Sequence, residues 1–300
     1  MSNTAPVLYE EPGPRGRAVS RTVSVVTGLV IAGTLAWLVY RLGQPRTTVN
    51  GAVLPGLWAP ERWDIFAEGT EVWQALLWRG LVQGTLSAAG LAAVLAIGFG
   101  IFLCFARTAP QKWIRVPAAI LLEFFRGMPV LLMMLFILLA LATTGYWAVV
   151  GALAVYNGAI IGEALRAGLQ ALPRGQREAG LSVGLTPFSS RILIEFPQAF
   201  RQMLPIIVAQ LVVLLKDTSL AYVVAYPEIL RISQQLKDYY GSTTYSFSIF
   251  LVSLAIYLVV NLALSALARW ISRRSGPKAG VATDEGGMSL AAIGVSAKPQ

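Results

Sequence analysis

Few residues of this chain are of a type that does covalent chemistry. Its 300 residues include no histidine, which removes His-based nucleophile activation and His metal sites. Cys104 stands alone inside an apolar run, so no disulfide framework exists. No GxxxxGK[ST] phosphate loop occurs, and the chain cannot itself be the ATPase of an ATP-driven system. The polar groups worth weighing lie inside or between long apolar runs. They are Asn157, the pair Glu163 and Arg166, the cluster Lys216-Asp217-Thr218-Ser219, and the polar stretch from Gly175 to Pro205. Ionisable residues inside a span face the bundle interior or a water-filled path as a rule. The chemistry implied is that of binding and moving a solute; no nucleophile–base or metal constellation points to catalysis.

Membrane helices must position those groups. Hydrophobic residues make up 56% of the chain and charged residues 13%, with mean hydropathy +0.63, whereas soluble domains carry about 25% charged residues. A spanning helix needs about 20 predominantly apolar residues. Six segments qualify: Thr22–Tyr40, Val82–Phe105, Val116–Ala142, Trp147–Leu165, Phe200–Tyr222 and Ser246–Trp270. The third carries Glu123, Arg126 and Pro129 near its start, which moves its expected beginning toward Pro129. The fold class is therefore an all-α polytopic membrane protein with six transmembrane helices. Residues 1–20 are expected to form a disordered cytoplasmic arm, and residues 273–300, rich in Gly, Ala and Ser, a disordered cytoplasmic tail. The first apolar run has no convincing cleavage site after it and is expected to stay as an anchor. Residues 21–79 comprise that helix and an outer loop holding Trp58, Trp63, Trp73 and Trp78. Glu61–Leu77 reads either as an interfacial helix or as an exposed loop anchored by aromatics.

The net charge of +9 is a topology signal rather than a nucleic-acid footprint. Cytoplasmic loops collect Lys and Arg. With the N-terminus inside, sixteen basic residues fall on the cytoplasmic side and six outside. Six spans then place both termini in the cytoplasm.

The stretch Gly175–Pro205 lies between two spans and has a particular order. Glu178-Ala179-Gly180 is followed by Gly184, then Ile194 and Phe196-Pro197; Gly175-Gln176 precedes it and Gln198-Ala199 closes it. Physically, Arg177–Leu181 offers a helical turn with Glu178 on its polar side. Gly184 permits a positive φ or a close backbone approach. Thr186 before Pro187 suits an N-cap with Pro at the first helical position. Pro197 marks the entry to the fifth span.

This spacing resembles the EAA loop of permease subunits of ATP-binding-cassette importers, and Leu215–Leu220 downstream looks like the polar amino acid branch. The sequence departs at Gly180, where Ala is usual, and at Phe196, where Leu is usual. Phe124–Val130 resembles the family's "FRGTP" element, and Tyr156–Gly168 its "AYxAExxRGG" stretch with Asn157 replacing a small apolar residue. The resemblance covers roughly Gly80 to Trp270. It implies a five-helix permease core over residues 80–272, an added N-terminal helix, and a cytoplasmic coupling loop over residues 167–200. It further implies two ATPase subunits that bind ATP and Mg, a second permease chain, identical or homologous, and an extracellular or periplasmic solute-binding protein. No cofactor belongs to this chain, and nucleic acid is not a partner. The coupling residues are Gly175, Gln176, Glu178, Ala179, Gly180, Gly184, Ile194 and Pro197. Asn157, Lys216, Thr218 and Ser219 are assigned to the translocation path. Lys216 and Asp217 read either as a mutually neutralising pair or as a polar lining that meets charged amino acids. The terminal arm, outer loop and tail look most like actinobacterial glutamate permeases, and the bacterial plasma membrane is the expected location. The rival reading is a secondary amino acid transporter driven by an ion gradient. That reading calls for paired discontinuous helices and mid-membrane acids, and the two halves show no such correspondence.

Overall fold

The computed structural model describes residues 13–275 apart from 50, 52 and 242. The expected tail beyond 275, and the arm before Gly13, lie outside the described residues. Helix α1 (Pro14–Gly43) begins with Pro at its first turn, where the missing N–H costs nothing. Residues 14–20 are therefore helical, not part of an irregular arm. None of its side chains is buried in this chain, so α1 is an apolar rod beside the bundle rather than part of the core. A short antiparallel pair, β1 (Arg46–Thr47) with β2 (Val53–Leu54), and the small helix α2 (Asp64–Glu68) fill the connection that follows.

Helix α3 (Thr70–Thr108) starts well before the span expected at Val82. Val72 and Leu76 are fully buried, so the Trp-rich segment is neither an interfacial helix nor a loop from Thr70 onward. It is the first part of a spanning helix. Glu71, Arg79 and the tryptophans had masked the apolar run. Residues Gln74–Leu86 follow wide π turns.

The third expected span is two helices. Helix α4 (Lys112–Gly127) and helix α5 (Val130–Ala140) meet at 106°. Pro129 cannot donate a backbone hydrogen bond and its ring opposes the preceding turn. An eleven-residue helix is about 16 Å long, half of the ~30 Å hydrocarbon core. Helix α6 (Gly145–Ala171) is followed by a short helix α7 (Arg174–Ser182) and by α8 (Pro187–Tyr222). Then come α9 (Ile229–Tyr240) and α10 (Thr243–Ser275). Among the described residues, five helices are long and apolar enough to span, or six counting the bent pair as one.

The core is centred on the α3–α6 crossing. Ala88, Ala92, Ala96, Gly100 and Cys104 recur every four residues on α3, and each is buried. They form one stripe of a helix. Small residues let backbones approach closely where lipid gives no hydrophobic drive for association. A Cβ at Gly100 would stand 2.9 Å from the carbonyl of Gly158, and one at Gly162 2.9 Å from the carbonyl of Gly100. Larger side chains fill the flanks: Leu153, Ile161 and Leu165 from α6, Met133 and Met134 from α5, Ile207 and Leu214 from α8.

Candidate functional site

The polar stretch folds as a helical hairpin at one end of the bundle. Helix α7 carries Gly175, Gln176, Glu178, Ala179 and Gly180, and Gly180 alone of its residues is buried. A Cβ on Gly180 would lie 2.4 Å from Ser190 Oγ and 3.0 Å from Ile194 Cδ1. The departure from Ala thus lets α7 press onto the start of α8. Gln198 Nε2 donates to Gln176 Oε1 at 3.1 Å, tying the two helices a second time. The end of α7 is a Schellman cap: Leu185 N–H donates to Gly180 O at 3.2 Å and Gly184 N–H to Leu181 O at 3.0 Å. Gly184 has φ +84 and open space around it. Of its two suggested uses, the positive φ is the one found.

Helix α8 begins as its local sequence dictates. Thr186 Oγ1 accepts from Ser189 N–H at 3.2 Å, and Pro187 occupies the first helical position. The helix does not restart at Phe200. It runs unbroken from Pro187, with wide turns over Arg191–Glu195 immediately before Pro197. Pro197 therefore sits inside a continuous helix. The turn that its ring would clash with is the one that widens. The second arm of the hairpin and a spanning helix are thus one continuous helix.

The hairpin's outer surface is exposed. Glu178 is exposed, and so are the apolar side chains of Leu181, Val183, Phe188 and Leu193. Below it a charge network joins three helices. Glu163 accepts from Arg166 at 2.9 and 2.5 Å and from Arg107 at 3.0 Å. Glu123 of α4 pairs with Arg107 at 3.4 Å and with Arg126 at 3.5 Å. Arg191 donates to the carbonyl of Thr108 at 2.6 Å, tying α8 to the end of α3.

A profile of the family described as the inner membrane component of binding-protein-dependent transport systems matches residues 96–276. The chain belongs to this family. It is 34% identical over 221 residues to the glutamate transport system permease protein GluD of Corynebacterium glutamicum, covering 71% of this chain and 79% of that one. It is 36% identical over 205 residues to a Bacillus subtilis protein named "Probable glutamine ABC transporter permease protein GlnP", covering 67% and 94%. Among solved structures it is similar to a chain of an amino acid ABC transporter crystallised with histidines. The TM-score is 0.59 at 28% identity, over 67% of this chain and 95% of that one. An all-α polytopic permease fold with an added N-terminal helix is thereby established, and the secondary-transporter reading falls.

In this transport component the polar residues within the spans are not gathered in one place. Asn157 is fully buried; its Nδ2 donates to Leu153 O at 2.8 Å, and its Oδ1 accepts from Gln210 Nε2 at 2.8 Å. It joins α6 to α8. Gln210 was missed in the sequence, although a lone amide inside an apolar run is the same signal that picked out Asn157. Thr218 is buried and donates to Leu215 O at 2.7 Å, while Ser219 donates to Lys216 O at 2.9 Å. Both hydroxyls bond back into their own helix, where α8 tightens to a 3₁₀ turn. Tyr257 Oη of α10 donates to Lys216 O at 2.8 Å. Lys216 is exposed, and no ion pair joins it to Asp217 among the described residues. Neighbours on a helix point about 100° apart, so of the two readings of Lys216 and Asp217 the neutralising pair does not form.

At the end of the bundle away from the hairpin, α9 lies on the wide turns of α3. A Cβ on Gly84 would meet Pro227 O at 2.3 Å and Glu228 Cα at 2.9 Å; one on Gly80 would meet Ile229 Cα at 3.1 Å. Tyr226 Oη donates to Gly84 O at 3.0 Å. Glu228, fully buried, caps α9 by accepting from Leu230 N–H at 2.9 Å and Arg231 N–H at 2.8 Å. Burial pushes its carboxyl up to about 7, against the pull of those two N–H groups. Sequence reading passed over Glu228 because Ser, Thr, Asp and Asn, not Glu, are the usual N-caps.

Proposed function

We propose that the chain is a permease subunit of an ATP-driven importer for polar amino acids of the glutamate and glutamine type. In this reading the α7–α8 hairpin is the EAA loop that docks on the ATPase. The observation that carries it is the continuity of α8. A push on an exposed, twice-tied hairpin acts on the same continuous helix that spans the membrane. Glu178 supplies the polar contact, and Leu181, Val183 and Phe188 the apolar anchors. Glycine at position 180 and the Schellman turn at Gly184 hold the hairpin closed.

The partners in this reading are two ATPase subunits, a second permease chain and a solute-binding protein on the outer side. ATP and Mg belong to the ATPase, and this chain performs no catalysis. The hairpin end faces the cytoplasm together with both termini, in keeping with the basic excess at that end. The relatives named for glutamate and glutamine transport support the amino acid class. Lys216 is suited to an anionic solute because it is exposed and without an acidic partner among the described residues. Asn157 and Gln210 keep α6 and α8 in register beside the path.

The test is uptake by proteoliposomes holding the chain with its ATPase and binding protein. Radiolabelled glutamate or glutamine should accumulate with ATP and fail to accumulate without it. ATP-independent uptake that follows an imposed sodium or proton gradient would contradict the reading.

A further inference from the structure

Between α4, the end of α6, α7 and the start of α8 lies a cavity of about 630 Å³. Arg107, Arg115, Arg166, Arg174, Arg177 and Arg191 line it, and Glu195 is the one acid in its wall among the described residues. Part of this charge is already answered. Glu163 takes up Arg107 and Arg166, and Arg191 donates to the carbonyl of Thr108. Arg115, Arg174 and Arg177 are exposed and form no ion pair among the described residues. Guanidinium groups converging on one space repel one another unless an anion joins them, and their forked donors match a phosphate in particular.

The other half of the wall is aliphatic. Val116 and Ile120 of α4 line the cavity and are 51% and 64% exposed. They continue outside it into an apolar face with Trp113, 76% exposed, and Phe124, 58% exposed. Lys112 and Arg115 stand at the start of the same helix. A helix of this kind lies at the headgroup boundary of a bilayer. Among the described residues no aromatic side chain lines the cavity, so a nucleobase would find none of them to stack on.

We propose that this cavity binds the headgroup of an anionic phospholipid. The phosphate is held by Arg115, Arg174 and Arg177, and the glycerol and acyl portion leaves along Val116 and Ile120. Bound there, the lipid would bridge the amphipathic helix α4 to the hairpin. Lipid at this cavity does not depend on which solute is carried.

The test is native mass spectrometry of the full chain released from detergent with phosphatidylglycerol or phosphatidylcholine added. Phosphatidylglycerol should remain bound in preference. Arg115→Gln with Arg174→Gln should weaken its retention by about fivefold for each charge removed. Arg79→Gln with Lys237→Gln, at the other end of the bundle, should leave retention unchanged. Arg115→Lys with Arg174→Lys keeps the charges and should hold the lipid better than the glutamine pair, which separates loss of the site from loss of the fold. Equal retention of the two lipids, or undiminished phosphatidylglycerol on the glutamine pair, would overturn the proposal. So would inorganic phosphate occupying the site as tightly as phosphatidylglycerol, which would assign it to a soluble anion. The readout is lipid occupancy, so its failure leaves the transport reading untouched.

Discussion

At the α3–α9 contact, glycines bring two backbones together; in the α7–α8 hairpin, Gly184 shapes a turn with open space beside it. The first region is closed. Gly84 leaves no room for a Cβ and Gly80 very little, Glu228 is sealed over its cap, and Ile229 and Ile232 are buried. The second is open. Only Gly180 of α7 is buried, and four large apolar side chains near it face outward. The α3–α9 contact is sealed by this chain's own backbone, whereas the hairpin leaves apolar side chains uncovered among the described residues. Substitutions at the closed end should therefore be read in stability, and those at the open end in coupling.

The sharpest break of that contrast is Gly84→Val. Its side chain would meet backbone at Pro227 and Glu228, which cannot rotate aside. A loss of about 3 kcal/mol is expected, seen as a lower melting temperature of the detergent-purified chain or as failure to accumulate. Gly175→Ala, in the open region with nothing within 4 Å, should instead melt as high as the parent or slightly higher. Equal effects of the two would remove the distinction.

A smaller effect is expected inside the bundle. Asn157→Leu strands Gln210 and should cost about 1–2 kcal/mol. Adding Gln210→Leu should recover much of that loss, because both partners then become apolar. Strict additivity of the two losses in a double-mutant cycle would contradict the link between α6 and α8.

The mildest effect is a dependence on pH at the closed end. The carboxyl of Glu228 sits at about 7, above the ordinary 4.5, so between these values the folded protein holds a proton that the unfolded chain releases. Its stabilisation is complete below about pH 4.5 and is lost as pH rises through 7. Glu228→Gln, which keeps one acceptor for the cap and cannot ionise, should flatten this slope and melt higher than the parent at alkaline pH. An unchanged slope would show that Glu228 is solvated after all.

Much of this was legible from residue type alone. Long apolar runs announce spans because backbone polar groups in lipid must be satisfied within a helix. The hairpin was legible because Thr186-Pro187 and Gly184 carry local rules that no tertiary contact overrides. The failures arose where tertiary context decides. The start of α3 was hidden by Glu71 and Arg79, which are tolerated at a helix end. Pro129 was legible as the place where a span begins, but not as a near-perpendicular turn between two helices. The Ala88–Gly100 stripe has the right spacing for close packing, yet alanines are so common in spans that only the facing Gly158 and Gly162 give it meaning. Lys216 and Asp217 are adjacent in sequence, and the helix points them apart.

The central claim is that the α7–α8 hairpin couples the membrane helices to an ATPase. The most direct measurement is binding-protein-stimulated ATP hydrolysis, with uptake, in the reconstituted complex carrying Glu178→Lys. The account predicts a chain that inserts and melts like the parent, with stimulated hydrolysis and uptake both reduced more than tenfold, on the order of 1.4 kcal/mol or more of lost coupling. Parental uptake and parental stimulation in that variant would contradict it.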